Sequence, residues 1–139
     1  MSARIVDGKA LGIKIQEELL ERVSSLKGLG VVPHLAVVIA GDDPASHVYV
    51  KNKERACDRC GIISTRIDMP GSSNLEEIKE VVSSLNSDPN VHGILVQSPA
   101  PNGVDELAIA SSILPQKDVD GFHPCLLYTS DAADEGHGV

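Results

Sequence analysis

His34-Leu35-Ala36-Val37-Val38-Ile39-Ala40-Gly41-Asp42-Asp43-Pro44-Ala45-Ser46 is the stretch from which the fold is read. The seven residues after Pro33 are a short apolar run, the mark of a buried strand. Asp43 then offers a helix cap and Pro44 a pre-set first helical position, so a helix starts there and runs to about Cys60, where Gly61 ends it. A buried strand that feeds a helix is the first half of a βαβ unit.

The same alternation extends to both sides. Upstream, Leu11, Ile15, Leu19, Val23 and Leu26 recur at helical spacing over residues 9–27, and Gly28 and Gly30 stop that helix. Downstream, Ile62–Asp68 reads as a second strand, more polar and nearer an edge. Ser73 with Glu76 forms a capping box, and behind it Leu75, Ile78, Val81, Val82 and Leu85 make another apolar stripe. Residues 86–90 form a turn, Val91–Gln97 a third strand. Ser98-Pro99-Ala100-Pro101 must leave the sheet, because two prolines cannot donate to a ladder. A short helix follows over Val104–Ile113. The expected fold is therefore α/β: a three-layer domain with a mostly parallel sheet flanked by helices. In such sheets ligands bind at the carboxyl ends of the strands. There is no internal repeat.

Bulk properties narrow the function classes. A chain of 139 residues holds one ordinary domain, and 42% hydrophobic with 23% charged residues is a globular balance. Two Tyr, one Phe and no Trp leave the core to Val, Ile, Leu and Ala. A net charge of −8 with no basic face argues against nucleic acid. No apolar leader opens the chain and no run approaches the roughly 18 apolar residues of a membrane span, so the expected compartment is the cytoplasm, with no membrane partner. Three Cys make no disulfide framework. Periodicity fades after Pro124, which divides the chain into a domain over 1–124 and a tail over 125–139 expected to be poorly ordered.

Chemistry concentrates in the second helix. On a helical wheel Lys53 falls with Tyr49, Ala56, Cys57 and Cys60, while Lys51, Glu54, Arg55, Asp58 and Arg59 lie outside that arc. It is either a lysine that snorkels to water or a partly desolvated amine suited to acid–base work. Gln97 ends the third strand at the ligand edge, either as a turn residue or as an amide that holds the lysine or a substrate atom. Ser98-Pro99-Ala100-Pro101 makes a stiff wall beside it. In Lys117-Asp118-Val119-Asp120-Gly121, the pair Asp118 and Asp120 lacks a third acidic ligand, so no metal is assigned. A turn built on Asx hydrogen bonds and a carboxylate that accepts paired N–H bonds from a heterocycle both remain. Cys57-Asp58-Arg59-Cys60 is a lone pair at the end of a helix, read as core cysteines. His34, His92, His123 and His137 stand singly. Gly28-Leu29-Gly30 precedes a strand rather than following one, so it is no dinucleotide fingerprint, and no cofactor-binding residue is assigned. A Tyr-x-x-x-Lys pair also occurs in short-chain dehydrogenases, whose glycine-rich nucleotide turn is absent here.

Four separated motifs resemble one family. They are Asp7-Gly8-Lys9; Gly41-Asp42-Asp43-Pro44-Ala45-Ser46-His47-Val48-Tyr49-Val50-Lys51-Asn52-Lys53; Gly93-Ile94-Leu95-Val96-Gln97-Ser98-Pro99-Ala100-Pro101; and Pro115-Gln116-Lys117-Asp118-Val119-Asp120-Gly121-Phe122-His123-Pro124. Over residues 4–124 they are similar, in order and spacing, to the folate-binding catalytic domain of the bifunctional methylenetetrahydrofolate dehydrogenase and methenyltetrahydrofolate cyclohydrolase. The resemblance implies an enzyme of one-carbon metabolism and purine biosynthesis that acts on a tetrahydrofolate derivative. It oxidises 5,10-methylenetetrahydrofolate with NADP, then hydrolyses the methenyl product to 10-formyltetrahydrofolate. It implies that Lys53 is the catalytic lysine, that Tyr49 packs on the folate, and that Gln97 holds the lysine. Val96 and Ser98 would line the same wall, Asp120 would accept hydrogen bonds from the pterin, and Ser46 would sit near the lysine at the substrate. It also implies a homodimer. Where the family carries leucines, Ser98 and Ala100 stand here. The family continues past His123-Pro124 into an NADP-binding Rossmann domain and a returning helix, neither of which follows in this sequence. No NADP site and no dehydrogenase turnover are therefore expected of these residues alone, and the tail from Cys125 reads as non-native translated sequence. Two other readings stand beside the resemblance: a non-catalytic α/β ligand-binding domain of receiver type, whose acidic strand end would be Gly41-Asp42-Asp43, and a purely structural, self-associating fragment.

Overall fold

A computed structural model describes residues 2–129. Three parallel strands, β1 (His34–Ala40), β2 (Ile63–Met69) and β3 (Gly93–Val96), lie in the order β2-β1-β3. Helix α2 (Pro44–Cys60) covers one face, and α3 (Leu75–Ser87) with α4 (Glu106–Ser112) covers the other. The expected α/β architecture of a parallel sheet flanked by helices is thus the observed one. The more polar β2 is an edge, as its sequence implied, and β1 is central with four consecutive residues, Val37 among them, fully or almost fully buried.

Strand periodicity distributes the core. Along β1, Ala36 and Val38 point to the α3–α4 side while Val37 and Ile39 point to α2. Along β3, Ile94 joins the first set and Leu95 the second. The next residue of α2's set after Leu95 is Gln97, whose backbone N–H still donates to Val38 at 2.8 Å. Alternation alone therefore aims the Gln97 side chain at α2.

Several boundaries differ from the sequence reading, each for a local reason. Asn74, not Ser73, caps α3: its side chain accepts from the Glu77 N–H at 2.9 Å, and the Ser73 hydroxyl instead donates to the Pro70 carbonyl. The expected Ser73–Glu76 capping box does not form. β3 is shorter than Val91–Gln97 because Val91 is still bound to the turn through the Asp88 carbonyl. α4 starts two residues late, where Asp105 caps it by accepting from Leu107 N–H. Helix α1 (Gly8–Gly28) forms as expected, but it packs on α2 rather than on the sheet. Of its apolar stripe only Val23 is buried, while Leu11, Ile15 and Leu26 are exposed. Order was expected to fade after Pro124, yet residues Pro124–Thr129 form the short helix α5, with the His123 ring accepting from the Cys125 N–H at 3.1 Å. The rest of that expected tail, from residue 130 on, lies outside the described residues. No helix among the described residues is long and apolar enough to cross a membrane.

One glycine sets how closely the loop after α4 approaches the sheet. A Cβ on Gly93 would lie 2.7 Å from a Val119 methyl and 3.3 Å from Leu35. The hydrogen at this position lets residues 118–121 lie against β3, where Ile94 and Asp118 form a parallel bridge. Gly93→Ala is expected to cost about 1–3 kcal/mol by overpacking. Adding Val119→Ala should recover most of it, because the atom struck belongs to that side chain. Urea denaturation of the single and double variants checks both.

Candidate active site

The helix that follows β1 runs antiparallel to the strands, so its first turns stand at their carboxyl ends. Side chains on a helix lean towards its N-terminus. Lys53 therefore reaches back to the sheet edge, where its ammonium nitrogen Nζ donates to Gln97 Oε1 at 2.6 Å. The Gln97 amide group donates in turn to the Ser98 carbonyl at 3.1 Å. That same carbonyl accepts from the Ser46 hydroxyl, also at 3.1 Å. A chain of hydrogen bonds thus orients the glutamine so that oxygen, not nitrogen, faces the lysine. Lys53 and Gln97 are both half-buried, which discards the solvent-directed lysine.

Ser46 lies beside this chain of bonds, near the lysine as expected. It is 4% exposed and its hydroxyl donates to the Ser98 carbonyl, so it braces the wall from behind. Tyr49, one turn before Lys53 on α2, is 57% exposed. Ser98 is exposed on the wall itself, ahead of the cis Ser98–Pro99 peptide. Val96 is half-buried on the α4 side, at the back of a cleft of about 340 Å³ that Gln97, Ser98, Ala100, Asp120 and Phe122 also line.

The fourth side of the site is the loop after α4. Its two aspartates divide the work. Asp118 accepts the backbone N–H groups of Asp120, Gly121 and His123 at 3.2, 3.1 and 2.7 Å, so it is the Asx-type organiser of the turn. The Asp120 carboxyl takes no hydrogen bond among the described residues. Its pKa is raised: partial burial outweighs the attraction of Lys53, and Asp118 adds repulsion. Lys117 anchors the loop from below by donating to the carbonyls of Leu85, Asn86 and Asp88 at 3.1, 2.9 and 2.8 Å, at the C-terminal end of α3. The Asx-bonded turn is one of the two readings that the sequence offered for the Asp118 and Asp120 pair, whereas the Lys117 anchor was not singled out from sequence. The carbonyls that Lys117 caps lie 29–32 residues away, beyond any local pattern.

Cys57 and Cys60 are buried and form no disulfide. Burial, with Cys60, Asp58 and Glu54 close by, pushes the Cys57 thiol up, away from the thiolate that metal or redox chemistry needs. They are core residues, as their position at a helix end suggested.

Lysine, glutamine and aspartate therefore meet at one sheet edge in the order in which the motifs occur along the chain. The catalytic-domain model of tetrahydrofolate dehydrogenase/cyclohydrolase matches residues 6–120. The chain belongs to this family. It is 49% identical over 124 residues to the bifunctional protein FolD of Halalkalibacterium halodurans and 47% identical to that of Moorella thermoacetica; each match spans 89% of this chain and 44% of the relative. Among solved structures, the bifunctional FolD methylenetetrahydrofolate dehydrogenase/cyclohydrolase of Campylobacter jejuni superposes with a TM-score of 0.87 at 46% identity, covering 88% of this chain and 43% of the other. The Trypanosoma brucei enzyme, solved with NADP cofactor and an inhibitor, gives 0.84 at 34% identity, with 90% and 43% covered. The chain thus spans less than half the length of these FolD relatives.

Among the described residues no strand end passes into a turn with several glycines; β2 passes into Pro70-Gly71-Ser72. A dinucleotide needs a glycine-rich turn between a strand end and a helix. Here β1 passes into Gly41-Asp42-Asp43, whose carboxylates oppose a pyrophosphate, and β3 into a segment in which two prolines lack N–H groups.

The raised Asp120 pKa sets the sign of one prediction. The fold favours the protonated carboxyl, so its contribution to stability is present below the ordinary carboxylate range and is lost as pH rises through the folded pKa. Asp120→Asn should therefore raise the Tm at neutral pH, and the gain should vanish in acid, where both side chains are neutral. Thermal melts across that range measure it.

Proposed function

We propose that this FolD-family chain forms the folate-binding catalytic part of a bifunctional methylenetetrahydrofolate dehydrogenase and methenyltetrahydrofolate cyclohydrolase. The observation that carries the reading is the 2.6 Å bond from Lys53 Nζ to Gln97 Oε1 at the carboxyl edge of the sheet, close enough to Asp120 for Lys53 to be felt by its carboxyl. A pterin offers paired N–H donors, and Asp120 has an uncommitted carboxyl to accept them. Tyr49 supplies an exposed ring for the flat aromatic part of the substrate. Val96 and Ser98 line the wall beside Gln97.

In the hydrolytic step water adds to the methenyl carbon, which bears the positive charge of the amidinium-like bridge. One proton leaves the water, a proton reaches N5 as its bond to that carbon breaks, and 10-formyltetrahydrofolate results. Lys53 stands where it serves these transfers, and Gln97 keeps its nitrogen on target. Holding the substrate in one pose is also what the hydride step requires of this domain. The hydride acceptor NADP is assigned to residues outside those described. A homodimer, a cytoplasmic location and a place in one-carbon metabolism and purine biosynthesis belong to the same reading.

Two measurements test it. In a thermal-shift titration with 5-formyltetrahydrofolate, Lys53→Ala should lower affinity at least about tenfold, about 1.4 kcal/mol, while Lys51→Ala, on the outer face of α2, leaves it unchanged. Equal shifts for wild type and Lys53→Ala would remove the chemical basis of the assignment. The 139-residue polypeptide assayed alone with 5,10-methylenetetrahydrofolate and NADP should produce no NADPH, whereas sustained NADPH formation would overturn the division of labour proposed here.

A further inference from the structure

Glu106 opens α4 and points back at the wall. Its Oε1 accepts the Ala100 N–H at 2.8 Å, and its Oε2 accepts more loosely from the Ser98 hydroxyl at 3.4 Å. Pro99 and Pro101 flank Ala100 and have no N–H, so the Ala100 N–H is the single backbone donor between Ser98 and Asn102. A charged acceptor makes the stronger class of hydrogen bond there. The wall so held carries the Ser98 carbonyl, which orients both Ser46 and the Gln97 amide, and Gln97 orients Lys53.

We infer that Glu106 is a positioning residue for the lysine: it latches α4 to the Pro99–Pro101 wall, and through the Ser98 carbonyl and Gln97 it fixes where the Lys53 nitrogen sits. Its importance for substrate rests on the folate reading, but its action on Lys53 does not. The wall has no other side-chain acceptor for its backbone donor among the hydrogen bonds of the described residues. Loss of the carboxylate leaves the segment free to move as a unit, because proline stiffness transmits a displacement along it rather than absorbing it.

The test uses the full chain with lysine side chains labelled with carbon-13 at the ε position. The Lys53 signal is assigned by its loss in Lys53→Arg. In Glu106→Ala, without any ligand, the Lys53 signal should shift or broaden while that of Lys117, held by three backbone carbonyls, stays in place and reports an intact fold. Glu106→Gln keeps an acceptor oxygen for the Ala100 N–H and removes the charge, so it should restore the wild-type signal. A Lys53 signal unmoved in Glu106→Ala overturns the latch, and so does Glu106→Gln behaving like Glu106→Ala, which would mean that charge at a distance is what the lysine feels. In a parallel titration, Glu106→Ala should weaken 5-formyltetrahydrofolate binding about three- to tenfold, with Glu106→Gln near wild type. If wild type itself fails to bind the probe, the folate reading falls, and the ligand-free spectra still decide the latch.

Discussion

A single hydrogen bond, from the Lys53 ammonium to the Gln97 side-chain oxygen, ties the two faces of this molecule's chemistry together. It depends on two independent periodicities meeting at one place. The helical repeat turns Lys53 towards the sheet beside Val50, which is fully buried among Val37, Ile39 and Leu95. The strand repeat turns Gln97 to the same side as Leu95. A one-residue slip in β3 would turn the amide to the α4 side and leave the lysine without its partner.

Around that bond several polar groups hold other groups still. Asp118 gathers three backbone N–H donors, Lys117 three backbone carbonyls, and the Ser98 carbonyl two side chains. Each such bond is modest by itself in water. Together they remove freedom from two loops that lack regular ladder bonds, while the Asp120 carboxyl of the same loop takes no hydrogen bond among the described residues. Its pKa is raised because partial burial penalises the charged form more than Lys53 favours it.

The small core explains why backbone fit matters here. With almost no aromatic side chains, close approach comes from Ala, Val and Gly contacts, and the loop bearing Asp120 lies on β3 only because Gly93 has no Cβ. The apolar stripe of α1 is the converse case: the helix contacts α2, and Leu11, Ile15 and Leu26 stay exposed. In FolD relatives, of whose length this chain spans less than half, more chain is present than the described residues supply.

The sequence alone determined the strand and helix order, the parallel sheet and the edge at which ligands gather, because local periodicity and turn residues act over a few positions. It also put Lys53, Tyr49, Gln97 and Asp120 on a short list, through one charge on an apolar face and four spaced motifs. Only the tertiary structure decided which of two aspartates organises its loop, that the Ser46 hydroxyl donates to the Ser98 carbonyl, that Asn74 and not Ser73 caps α3, and that Lys117 and Glu106 hold backbone groups of other segments. Those outcomes rest on hydrogen bonds between residues far apart in the chain or on rivalry between neighbouring caps. Such distances and competitions have no periodic signature, since they are settled by how separately formed elements pack against one another.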